Sequence, residues 1–140
     1  MERPSPDTLG NSQEAHEPRR GSSDRAAILD AVRPEAATYV GSPIEFVVGE
    51  LTVAGDRAYA SLRARRPGGV EINLKDTPWG RGPNYDPVDD YPGFLALLRR
   101  RSGQWSVAEL KFSWNEPPFA DSKHCREWQT VLPKAWCNNR

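Results

Sequence analysis

Apolar residues recur at three- and four-residue steps beyond Asp24, placing Ile28, Val32, Ala36, Tyr39 and Val40 on one helical face. Ser23 or Asp24 can cap the start of this helix, and Gly41 can close it in a left-handed conformation. Pro34 removes a backbone donor and crowds the preceding turn, so it predicts a kinked helix or two short pieces. After Pro43 the period changes to two. Ile44, Phe46 and Val48 share one face, whereas Leu51 and Val53 continue on the opposite parity. One extra residue at Gly49, a bulge, brings all five to the same side and bends the strand.

Gly55 and Asp56 form a two-residue turn signal, followed by Ala58, Ala60, Leu62 and Ala64 alternating with Tyr59, Ser61, Arg63 and Arg65. This predicts a hairpin. Pro67, Gly68 and Gly69 turn the chain again, with Ile72 and Leu74 in a short strand beyond. From Lys75 to Gly93 prolines and glycines forbid regular structure, and so long a loop in a compact domain is functional or mobile. Phe94 to Arg101 resumes as a strand, Ser102 and Gly103 turn, and Trp105 to Phe112 returns. Its parity slips between Val107 and Leu110, which predicts a second bend. Residues 113–140 leave room for a short helix around Lys123 to Leu132 and read as a covering segment over one edge or mouth of the sheet. Residues 1–23 lack apolar periodicity and read as a disordered tail, leaving 24–140 as one domain.

The implied class is α+β, with one kinked N-terminal helix packed on a strongly bent antiparallel sheet of about four to five strands. A sheet that must wrap one helix needs bulges to curve it, the architecture of a cystatin-like or NTF2-like roll. The runs Ala27 to Pro34, Pro43 to Val48, Val53 to Ala60, Ala96 to Arg100 and Gly103 to Val107 resemble a group of small bacterial proteins, often exported and similar in outline to NTF2-like domains. The resemblance spans roughly residues 24–112 and rests on structural positions. It implies the fold and brings no activity. Arg57 departs from it, standing where an aromatic residue is more typical.

Composition narrows the functions. Nineteen Lys and Arg balance nineteen Asp and Glu, which argues against a dedicated nucleic-acid binder because phosphate affinity rests on surplus positive charge. Arg57, Arg63, Arg65 and Arg66, together with Arg99, Arg100 and Arg101, flank a stretch holding Asp76, Asp86, Asp89 and Asp90. The two sets are expected to neutralise one another across the fold. A mean hydropathy of -0.72 and the lack of any long apolar run exclude a membrane-spanning helix. Cys125 and Cys137, the only cysteines, suit a bridge closing a short loop, which implies an oxidising compartment. Residues 1–23 contain no signal-peptide core, which makes the cytoplasm the default and free thiols the alternative; a periplasmic or secreted location follows from the bridge.

Candidate chemistry is sparse. His124 beside Cys125 lacks the geometry of a catalytic pair, since adjacent helical residues point apart. Asp86, Asp89 and Asp90 match no cation-loop spacing and read as a solvated acidic loop, with no metal or cofactor expected. Tyr39, Tyr59, Trp79, Tyr85, Trp105 and Trp114 are the candidates for a pocket between helix and sheet, gated by the long loop and the C-terminal segment, or for a partner-binding surface. The expected function is a non-enzymatic binding or protein-interaction module for a protein or small molecule, acting as a monomer or weak homodimer. The alternative is an NTF2-like enzyme, a cyclase, isomerase or hydrolase, working in that pocket.

Overall fold

The computed structural model describes residues 14–137. One helix, α1 (Ser23–Val40), precedes four strands: β1 (Glu45–Ala54), β2 (Arg57–Arg65), β3 (Gly93–Arg101) and β4 (Gln104–Phe112). Two short helices follow, α2 (Ser122–Trp128) and α3 (Lys134–Cys137). The strands form one antiparallel sheet in sequential order, so β1 and β4 are its edges. Among the described residues no helix is long and apolar enough to cross a membrane.

Helix α1 buries Ile28, Val32, Ala36 and Val40, the stripe expected from spacing. It is one α-helix through Pro34, not two pieces. Buried Ile and Val side chains on both sides of Pro34 are each worth about 1.5–3 kcal/mol, enough to outweigh a proline cost of about 3 kcal/mol. The cap lies one residue before the expected pair, because the Ser22 side chain accepts from the Arg25 backbone N–H at 3.2 Å. Gly41 closes the helix with φ of 74°. Arg66 satisfies the exposed helix end, donating to the carbonyls of Val40 at 2.8 Å, Pro43 at 2.9 Å and Gly41 at 3.1 Å.

Both expected bends are present. The β1–β2 register shifts between Val48 and Glu50, leaving Gly49 extra. The β3–β4 register shifts where Leu97 opposes Glu109 and Leu98 opposes Val107, leaving Ala108 extra. Ile72 and Leu74, by contrast, form no strand. Only an Arg66–Val70 bridge precedes them, and Leu74–Asp76 is a 3-10 turn. The Asn73 side chain accepts from the Lys75 N–H at 3.2 Å, offering the backbone a local partner in place of a ladder. Both apolar residues are nonetheless buried under the sheet and helix.

Covering occurs on both faces. Ala58, Ala60, Leu62, Ala64, Phe94, Ala96 and Leu98 meet α1, while Tyr59, Leu95 and Leu97 point the other way into a second core with Phe119, Cys125, Trp128, Val131 and Leu132. The C-terminal segment therefore lies on the sheet face opposite α1. Strand β3 is buried on both sides, which explains its unbroken apolar run Phe94 to Leu98. Of the tail expected over residues 1–23, residues 1–13 lie outside the described residues. Within residues 14–22, His16 pairs with Val53 through two 2.8 Å backbone hydrogen bonds, and Pro18 is buried.

Candidate functional site

The space between α1 and the sheet is filled. Small residues at Ala58, Ala60, Ala64 and Ala96 pack with Ile28, Val32, Ala36 and Val40 of α1 in one apolar core. Tyr39 stacks on Phe112 with centroids 4.8 Å apart, and its edge meets Phe94 at 6.0 Å. Trp79 packs on Tyr39 and Phe112, Tyr85 lies against the same core, and Trp105 is buried at the opposite end of β4. Tyr59 and Trp114 are on the other side of the sheet, both edge-on to Trp136 at 5.8 and 6.3 Å. Burial pushes the Tyr59 phenol strongly upward. The six aromatic candidates are thus split between two cores and do not line one cavity.

The long loop is strapped down. Trp79 donates its indole N–H to Asp90 at 2.7 Å, and the same carboxylate accepts from the Asp86 N–H at 2.8 Å and the Ser113 hydroxyl at 2.9 Å. Burial works against the charge of Asp90, yet these donors hold its carboxyl below the ordinary range. Asp86 accepts from the N–H groups of Val88 and Asp89, and Tyr91 donates to the Trp114 carbonyl at 2.7 Å. Among the described residues, no ion pair joins these aspartates to the arginines expected to neutralise them. Arg63 pairs with Glu71, Arg65 with Glu45, and Arg100 with Asp24. These acids lie in the segment just after β2, on β1 and on α1.

Two charged knots tie the C-terminal segment to the sheet. Arg57 and Arg99 both pair with Glu127 and both lie over the Trp128 ring, at 5.4 and 4.9 Å. The Arg99 hydrogen bond, resisted by desolvation and reinforced by Arg57, lowers the Glu127 carboxyl below its ordinary value. The Arg57 Nε is buried without a protein partner. His124 engages Asp121 through Nδ1 and Glu109 through Nε2 at 2.8 Å. Burial opposes its charge, but the two carboxylates prevail and raise its pKa. Flanked by a carboxylate on each nitrogen, it clasps α2 to β4, and both neighbours favour its charged form. Cys125 is fully buried and bridged to Cys137, with Cα atoms 5.6 Å apart. Among the described residues no group of three or more His, Cys, Asp and Glu is arranged to hold a metal ion.

The open concavities lie at the periphery. One, of about 610 Å³, sits beside the Arg57 knot and includes Asp56, Arg100 and Thr130. A second, of about 570 Å³, separates Ala15, Glu50 and Thr52 from the Gln129 to Lys134 stretch. The third, of about 630 Å³, lies where α1 faces β1. Its origin is geometric: α1 packs chiefly over β4 and β3, so the far edge of the sheet stands away from the helix. Leu29, Phe46 and Val48 are its apolar side, and Arg19, Arg20, Arg25 and Arg65 surround them, with Glu17 as the acid among them.

This third groove runs along the outer edge of β1 at Phe46, Val47 and Val48. The segment from Glu14 meets β1 at Val53, but Pro18 has no N–H to extend a ladder, and Arg19 to Gly21 turn away into α1. Among the described residues, Glu45 to Val48 therefore pair with β2 alone. None of the groove residues was a site candidate from sequence. The signals were the dipeptide Arg19-Arg20 just before a helix cap and the apolar run Phe46-Val47-Val48 on a strand with Val47 39% exposed. Compared with known proteins, the chain matches no family model, no curated protein and no solved structure.

Proposed function

We propose that the protein is a non-enzymatic binding module built on a cystatin-like or NTF2-like roll, and that it recognises its ligand in the groove beside β1. The single observation that carries this reading is the conjunction of an open strand edge with apolar and cationic side chains in one concavity. The roll is supported by one helix against a four-stranded meander with a bulge in each edge strand. The non-enzymatic reading is supported by the apolar filling between α1 and the sheet, where an enzyme of that architecture would need an ionisable floor. The Cys125–Cys137 bridge supports an oxidising compartment.

The experiment is a fragment and peptide-pool titration of isotope-labelled protein, followed by backbone amide shifts. Hits are expected to move residues 17, 19–21, 25, 29 and 45–48 together. Hits that move residues 58, 60 and 96 between sheet and helix instead would overturn the reading.

A further inference from the structure

We infer that the partner of this groove is an extended acidic peptide segment, alternating carboxylate and apolar side chains, which adds to the sheet as a strand beside Glu45–Val48. The inference rests on the binding-module reading and names its partner.

Backbone comes first. An edge strand offers a row of N–H and C=O groups that a second chain can pair with, and this protein already uses that mode once, where His16 pairs with Val53. The pairing of the protein's own segment stops at buried Pro18, and the bulge at Gly49 interrupts the edge beyond Val48. The vacant ladder is thus short, Glu45 to Val48, and it is bounded at one end by this bulge. A ladder of that length gives orientation; side chains must supply selectivity.

Charge selects the sign. Arg19 and Arg20 are exposed and enter no ion pair among the described residues. Arg25 donates to the Pro18 carbonyl at 3.5 Å and comes within 4.0 Å of Glu17, and Arg65 shares its charge with Glu45 at 2.9 Å. Counting four arginines against Glu17 and Glu45, the groove keeps a positive excess in a protein whose overall charge is zero. Alternation follows from strand geometry, since successive residues of an added strand face opposite sides. One set would lie on Leu29, Phe46 and Val48; the other, on the Glu45 and Val47 face, would reach Arg65, while Arg19 and Arg20 line the same groove, and guanidinium groups hold carboxylates in bidentate fashion.

The test uses the full chain and a blocked octapeptide of four Glu-Val repeats, read by amide shifts and calorimetry. Binding is expected to move the Glu45 to Val48 amides. It should weaken at least about tenfold, the equivalent of about 1.4 kcal/mol, for a Lys-Val octapeptide, for a Glu-Val peptide N-methylated at alternate residues, and for the exposed double variant Arg19→Glu with Arg20→Glu. Equal binding of the Lys-Val or N-methylated peptide would overturn the inference, as would no shift at millimolar peptide. Shifts of the same amides with protein concentration alone, or on deleting residues 1–13, would assign the edge to a second copy or to the chain's own N-terminus and equally overturn it. Fragment hits in the groove without Glu-Val binding would overturn the acidic strand while leaving the module reading intact.

Discussion

Trp79 and Asp90 are 11 residues apart on the long loop and meet in a 2.7 Å hydrogen bond, with the Asp90 carboxylate at the centre of three donors. A segment rich in Pro and Gly is thereby held without regular structure. Replacing Asp90 with Ala is expected to cost about 2 kcal/mol, the scale of hydrogen bonds to a charged group. Because the folded Asp90 pKa lies below its unfolded value near about 3.9, its contribution is present above that value and is lost as pH falls through the folded pKa. Hydrogen exchange across 79–90 should accelerate in the variant at neutral pH, and in the native chain only in acid.

His124 has the opposite sign. Its pKa is raised, so the stability from its contacts with Asp121 and Glu109 is complete below the unfolded value of about 6.5 and is lost as pH rises through the folded one. The melting temperature is expected to decline across that window. His124→Gln should flatten the decline, which thermal melts from pH 5 to 9 would read directly.

Arg66 closes α1 from 26 residues away, donating to three carbonyls around the helix end. Arg66→Met keeps much of the aliphatic stem and removes every donor. A loss of about 2 kcal/mol is expected, with faster amide exchange concentrated in the last turn of α1. A chemical denaturation curve and an exchange map check the two parts separately.

The bridge between Cys125 and Cys137 closes a loop with a sequence separation of 12 and pins the segment that buries Tyr59. Cys137→Ser is expected to lower stability by about 3 kcal/mol. Thiol titration of the unfolded native chain should find no free thiol until reductant is added.

Legibility followed the range of the interaction. The α1 stripe, the Gly49 bulge and the parity slip around Ala108 depend on spacing within one element, and each could be read from the chain. Ile72 and Leu74 misled because two anchoring residues at alternate positions mimic a strand, while Asn73 bonds locally and curls the backbone. Tyr59 was legible as a strand residue but not as part of a second core, since that core needs Phe119 and Trp128 from distant sequence. The Glu127 pairing with Arg57 spans 70 residues, and no local pattern announces it. The groove escaped notice for a related reason: residues 14–21 have no periodicity, and their place beside β1 depends on one bridge at Val53.

The central claim is that the β1 edge is open in the free protein and closes on a partner strand. Residue-resolved hydrogen exchange measures this directly. Alternate amides among Glu45 to Val48, those facing away from β2, are expected to exchange fast in the free protein while β3 amides stay protected, and to slow on saturation with the Glu-Val octapeptide. Protection equal to that of β3 at all four positions before any peptide is added would contradict the account.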